Sequence, residues 1–86
     1  MESKIKISYS TKAEKQFLKL PSSEQKKILK KTTVFKSNPL VGKKLVGEFT
    51  GLYSFKAWPY RIIYTFSHKN QTIYIVTIQH RQGVYK

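Results

Sequence analysis

Lys56, Arg61 and Arg81 are the residues best placed, by type and spacing, to act on an anion. Arginine grips a phosphate through a planar fork, and lysine meets it as a compact point charge. The sequence offers few other chemical groups. It has no cysteine, its histidines are His68 and His80, and its acids are Glu2, Glu14, Glu24 and Glu48, none at metal-ligand spacing. It carries no Gly-rich phosphate loop and no serine elbow. A metal centre and a bound cofactor are therefore not expected. What remains is chemistry by Lys, Arg, Tyr and His on an anionic substrate that brings its own nucleophile. RNA does so through its 2′-hydroxyl. Strand cleavage then needs a base, charge stabilisation on the pentavalent phosphate and an acid for the leaving 5′-oxygen. Lys56 is the candidate base. Tyr53, Trp58 and Tyr85 lie close enough in sequence to offer rings on which unpaired bases stack.

The charge balance points the same way. Seventeen Lys and Arg against four Asp and Glu leave a formal net charge of +13 on 86 residues. Such a field attracts polyanions, so nucleic acid ranks first as a partner, an acidic protein second and an anionic membrane a distant third. A chain of this length makes one domain, 1–86. No apolar run approaches the roughly 18 residues of a membrane span, and the first eight residues lack the apolar stretch of a signal peptide. With no cysteine, the composition fits a reducing cytoplasm.

The elements that must position these cations read as follows. Lys4 to Tyr9 alternates with period two and predicts a strand. Ser10 can cap a helix from Thr11 to about Leu20, with Ala13, Phe17 and Leu20 on one face. Pro21 breaks it. A second helix starts at Ser22 or Ser23, carries Ile28, Leu29, Thr32 and Phe35 as its apolar stripe, and stops at Asn38-Pro39. Its lysines, Lys26, Lys27, Lys30 and Lys31, read as a solvated face that adds to the general field. From Gly51 onward aromatic and β-branched residues predict strands at Leu52–Trp58, Tyr60–Ser67 and Thr72–Arg81. The turns are Trp58-Pro59 and His68-Lys69-Asn70. The order is βααβββ, an α+β fold with a four-stranded antiparallel sheet and a helical hairpin on one face.

Strand parity then sorts the residues by face. If Trp58-Pro59 is a tight turn, Ala57 opposes Tyr60 and Lys56 opposes Arg61. If Phe66 opposes Thr72, Ile63 opposes Ile75 and Arg61 opposes Thr77. One face collects Tyr53, Phe55, Tyr60, Ile62, Tyr64, Phe66, Tyr74, Val76 and Ile78, and should receive the helices. The other collects Ser54, Lys56, Arg61, Thr77, Gln79 and Arg81 at one end, with Ile63 and Ile75 as an apolar patch at the other. His80 falls on the apolar face, and His68 sits in a polar turn.

The order and spacing of several short motifs resemble the RelE/ParE superfamily of toxins. They are Tyr9-Ser10-x-Lys12-Ala13-x-Lys15-x-Phe17-x-Lys19-Leu20-Pro21, then Asn38-Pro39, Lys44-Leu45-x-Gly47 and Gly51-Leu52-Tyr53. Tyr60-Arg61-Ile62-Ile63-Tyr64 and Ile78-x-His80-Arg81-x-x-Val84-Tyr85 complete the set, and together they cover almost the whole chain. The resemblance to the ribosome-dependent RelE branch implies a metal-free endoribonuclease that cleaves messenger RNA and is held inactive by a cognate antitoxin. It carries catalytic roles onto Lys56, Arg61, Arg81 and Tyr85, with His80 as a secondary candidate. Tyr53, Ser54, Trp58 and Gln79 are the expected RNA-binding residues. Ser54 departs from the pattern, standing where a member of the family has a lysine. The ParE-like branch shares the fold but poisons DNA gyrase by binding. A degenerate homologue that only binds nucleic acid or an antitoxin is the third reading.

Overall fold

The computed structural model of the protein describes residues 5–45, 47 and 51–80. Its elements are β1 (Lys6–Tyr9), α1 (Thr11–Leu18), α2 (Ser22–Ser37), β2 (Lys43–Lys44), β3 (Tyr53–Ala57), β4 (Tyr60–Ser67) and β5 (Thr72–His80). They form an α+β fold with two helices and a five-stranded mixed sheet of order β1-β5-β4-β3-β2. The expected four-stranded antiparallel sheet is corrected in two places. The two-residue strand β2 pairs with β3 at one edge, and β1 joins the other edge parallel to β5. The helical hairpin carries the chain away from β1 before the antiparallel strands begin, so nothing local fixes the direction in which β1 meets β5.

Each helix end has a chemical cause. Ser10, extended at φ −66° and ψ 162°, accepts the Ala13 amide on its Oγ at 3.0 Å and so caps α1. The same hydroxyl donates to the Val76 carbonyl at 2.6 Å, fastening the start of the helix to β5. At the far end of α1, the Gln25 amide donates to the carbonyls of Phe17 and Leu20, both at 3.1 Å. The Phe17 carbonyl also accepts the Leu20 amide at 3.0 Å, so backbone and side chain together close this end of the helix. Pro21 then stands at the N-cap of α2, where its carbonyl accepts the Glu24 and Gln25 amides, both at 2.9 Å, and no helical bond needs its missing N–H. Ile28, Thr32 and Phe35 point inward from α2, each about one turn beyond the last. Leu29, expected in that stripe, is 50% exposed instead. It sits one residue, about 100°, round the helix from Ile28.

The core lies between α2 and the sheet. Phe35 stacks on Tyr64 with ring centroids 4.5 Å apart and meets Phe55 edge-on at 4.9 Å, and Tyr64 stacks in turn on Tyr53 at 5.5 Å. Burial pushes the Tyr64 phenol above its ordinary pKa, against the opposing pull of its bond to Gly42. That bond runs from the Gly42 amide to the Tyr64 hydroxyl at 2.8 Å. A methyl group on Gly42 would lie 2.7 Å from the same hydroxyl and 2.9 Å from the ring. Gly42→Ala is therefore expected to destabilise the fold by about 1–3 kcal/mol, the usual cost of overpacking. Urea unfolding checks this, and an unchanged midpoint would show that the β2 edge yields without cost.

The β4–β5 hairpin corrects the expected register. Ser67, not Phe66, opposes Thr72. The loop is thus one residue shorter than the parity reading assumed, with Gln71 in the left-handed region at φ 50°. A β-bulge then lies between Ile63 and Tyr64, with Ile63 opposite Thr77 and Tyr64 opposite Ile75. Near the loop, the one-residue slip exchanges the faces of β5. Ile75 is fully buried, and Tyr74, expected in the core, is 42% exposed. The expected apolar patch of Ile63 and Ile75 therefore does not exist, because Ile75 belongs to the core.

Candidate active site

Beyond the bulge the slip amounts to two residues, and parity returns. Lys56 on β3 lies directly opposite Arg61 on β4, and Arg61 lies directly opposite Gln79 on β5. Directly opposed residues leave the same face with Cβ atoms roughly 4.5–5.5 Å apart. Lys56, Arg61 and Gln79 thus form one row across the helix-free face. The adjacent row on that face is Ser54, Ile63 and Thr77. Arg61 opposes Gln79 rather than the expected Thr77.

Arg61 stands between two adjoining grooves. One, of about 540 Å³, is lined by Val41, Lys43, Leu45, Ser54, Lys56 and Arg61 among others. The other, of about 530 Å³, is lined by Lys12, Leu45, Leu52, Ser54, Arg61, Ile63, Val76, Thr77 and Gln79. Arg61, Ser54 and Leu45 are common to both. Two cations absent from the sequence-based set are brought here: Lys12 from the first turn of α1 and Lys43 from β2.

Lys12 reaches the groove because α1 takes over the edge of β5 where β1 ends. The Ser10 amide donates to the Ile75 carbonyl at 2.9 Å. Further along, Gln16 Oε1 accepts the Ile78 amide at 2.7 Å and the Thr77 hydroxyl at 3.1 Å. A side-chain amide thus satisfies a strand edge that β1 has left. Neither Lys56 nor Arg61 forms an ion pair among the described residues, where the salt bridge present joins Lys27 to Glu24 on the other side of the sheet. Cations without internal counter-charges keep their attraction for an incoming anion.

The remaining sequence-based candidates are placed as follows. Tyr53 faces the helices, stacked on Tyr64, away from the cation row. Trp58 is 65% exposed at the β3–β4 turn, where the Trp58–Pro59 peptide is cis. His80 lies opposite Tyr60 on the helix side and meets its ring edge-on at 5.3 Å, so it is not in the row with Arg61. Arg81 and Tyr85 lie outside the described residues. Among the described residues no group of three His, Cys, Asp or Glu side chains is arranged to hold a metal ion, and no helix is long and apolar enough to cross a membrane.

A family model, the ParE toxin of the parDE type II toxin–antitoxin system, matches residues 7–85. The chain belongs to the ParE toxin family. It is a type II toxin of the RelE/ParE superfamily, and its fold agrees with solved relatives. A chain of the RelBE2 toxin–antitoxin complex from Mycobacterium tuberculosis superposes with a TM-score of 0.82 at 26% identity, covering 90% of this toxin and 98% of that chain. The archaeal RelE–RelB complex from Pyrococcus horikoshii gives 0.75 at 24% identity, covering 90% and 94%. The isolated RelE toxin of E. coli gives 0.77 at 22% identity, covering 94% and 90%. No curated protein matches the ParE-family toxin by sequence.

Proposed function

We propose that this ParE-family toxin is a metal-independent endoribonuclease that cleaves messenger RNA on the ribosome. The carrying observation is the row Lys56–Arg61–Gln79 on the open face, flanked by two grooves and lacking internal counter-charges among the described residues. In this reading the RNA lies along the grooves with its scissile phosphate on Arg61. Lys56 accepts the proton of the 2′-hydroxyl, whose oxygen attacks the adjacent phosphorus. Arg61 holds a non-bridging oxygen, and Arg81 stabilises the phosphorane as the bond to the 5′-oxygen breaks. The departing 5′-oxygen takes up a proton from water. The products carry a 2′,3′-cyclic phosphate and a 5′-hydroxyl. Tyr85 stacks on a base or contributes its hydroxyl, Trp58 offers an exposed ring, and Ser54 and Gln79 give hydrogen bonds from the groove floor. The ribosome supplies the in-line pose that a site without a strong acid–base pair does not impose alone.

The partner in this reading is a cognate antitoxin with an acidic or amphipathic segment that covers the cationic face, and the setting is the cytoplasm. The charge of +13 supports it, and relatives are known in RelB complexes. A second reading, inhibition of DNA gyrase, is favoured by the family model, which is that of a ParE toxin. Translating ribosomes and gyrase supercoiling, assayed side by side at stated salt, separate the two. Messenger cleavage with cyclic-phosphate ends is expected. Intact messenger together with inhibited supercoiling would make the gyrase reading correct.

A further inference from the structure

The turn that sets Lys56 against Arg61 is held from the other side of the sheet. Lys27, in the second turn of α2, places its ammonium 3.2 Å from the Glu24 carboxylate. The same ammonium donates to the main-chain carbonyl of Trp58 at 3.1 Å. The Tyr60 phenol lies close to the same carboxylate, and burial first, with the nearby Glu24 charge second, holds it above its ordinary pKa. One Glu–Lys pair therefore meets both flanks of the β3–β4 turn, by a hydrogen bond at Trp58 and by its charge beside Tyr60. Tyr60 directly precedes Arg61, and only Ala57 separates Trp58 from Lys56. Neighbouring residues of a strand face opposite sides. Fixing Tyr60 on the helix side thus fixes the direction in which Arg61 leaves the open side. Lys26 and Lys30 line, together with Lys27, a shallow cavity on the outer side of α2, and among the described residues only Lys27 of the three bonds to the turn.

We infer that Lys27, held by Glu24, is a positioning residue that fixes the β3–β4 turn and with it the mutual orientation of Lys56 and Arg61. Its catalytic consequence rests on the ribonuclease reading; its effect on the turn does not. A partly exposed ion pair contributes little to global stability. Its work is to narrow the set of turn conformations, so its loss lowers the competent fraction rather than unfolding the chain.

Trp58 is the chain's single tryptophan and sits on the tethered carbonyl, so its emission reports the turn without RNA. The test compares Lys27→Met, Lys27→Arg and Lys26→Met, with folding checked by circular dichroism. In Lys27→Met, the time-resolved anisotropy of Trp58 should fall. The single-turnover rate on messenger–ribosome complexes should drop about fivefold, with the half-saturating concentration unchanged within about twofold. Lys27→Arg should restore both readouts. Lys26→Met, which removes the same charge without touching the turn, should change neither. Unchanged Trp58 anisotropy in Lys27→Met overturns the inference, as does an equal loss of rate in Lys26→Met, which would mark a general field effect. If Lys27→Met does not fold, Glu24→Gln removes the other half of the tether and is judged by the same two readouts. If the wild-type toxin cleaves no messenger, the ribonuclease reading fails on its own, and the anisotropy alone decides whether Lys27 holds the turn.

Discussion

Arg61→Ala is expected to slow messenger cleavage on translating ribosomes by about two to three orders of magnitude, the usual effect of removing one preorganised charge contact from a developing oxyanion. Three features concentrate the effect at this position. Arg61 lies on the central strand of the open-face row, with Lys56 on one side and Gln79 on the other. It is common to both grooves. It is half-buried and has no ion pair among the described residues, so its removal leaves no carboxylate stranded and the fold should stay intact. Arg61→Lys should recover only part of the rate, because an ammonium keeps the charge and loses the planar fork. Arg81→Ala is expected to match Arg61→Ala if the second arginine meets the phosphorane. Single-turnover cleavage with a parallel unfolding curve is the measurement. A folded Arg61→Ala variant that cleaves at the wild-type rate would remove the phosphate site from this face.

The Lys56–Arg61 pair is legible in the sequence because a two-residue Trp58-Pro59 turn between alternating strands leaves little choice of register. From that point the faces of β3 and β4 follow, and with them the side that receives the helices. The β4–β5 hairpin is less legible. A four-residue loop, His68 to Gln71, and a five-residue loop, Ser67 to Gln71, are equally compatible with the sequence, and a slip of one exchanges Tyr74 with Ile75. The cation row survives this error for a physical reason. The bulge inserts a second residue of offset between the loop and the site, so the sum is even and Gln79 keeps its face. Bulges have no dependable local signature, and this one can be seen only from the packing of Ile73, Ile75 and Ile78 in the core.

The parallel docking of β1 on β5 is not legible at all, since pairing between the first and last strands depends on contacts more than sixty residues apart. The same non-locality hides Lys12. Its place beside the groove follows from α1 lying along the β5 edge, which Gln16 secures through the Ile78 amide. Tyr53 illustrates the converse. Proximity in sequence to Lys56 suggested a stacking role, yet parity already placed it on the helix side, where it packs on Tyr64. Face, not distance along the chain, decides which side chains share a site.

The role of Lys56 is decided by a charge-conserving replacement. If Lys56 accepts the proton of the 2′-hydroxyl, Lys56→Ala should lower the single-turnover rate by about 10²–10⁴, the range in which general bases contribute. Lys56→Arg keeps the positive charge opposite Arg61 but supplies a guanidinium that does not give up its proton in proteins. It should therefore fail to rescue the rate while preserving affinity for the messenger–ribosome complex. If Lys56 served only as a charge contact, the same replacement would restore most of the activity, since an arginine on β3 reaches the same groove. Both variants should fold, because Lys56 is exposed and makes no ion pair among the described residues. The ends of the residual product give an independent check. A slower reaction that still yields a 2′,3′-cyclic phosphate has kept its nucleophile and lost only its base. A Lys56→Arg variant that cleaves within about threefold of wild type would assign the proton transfer to another group.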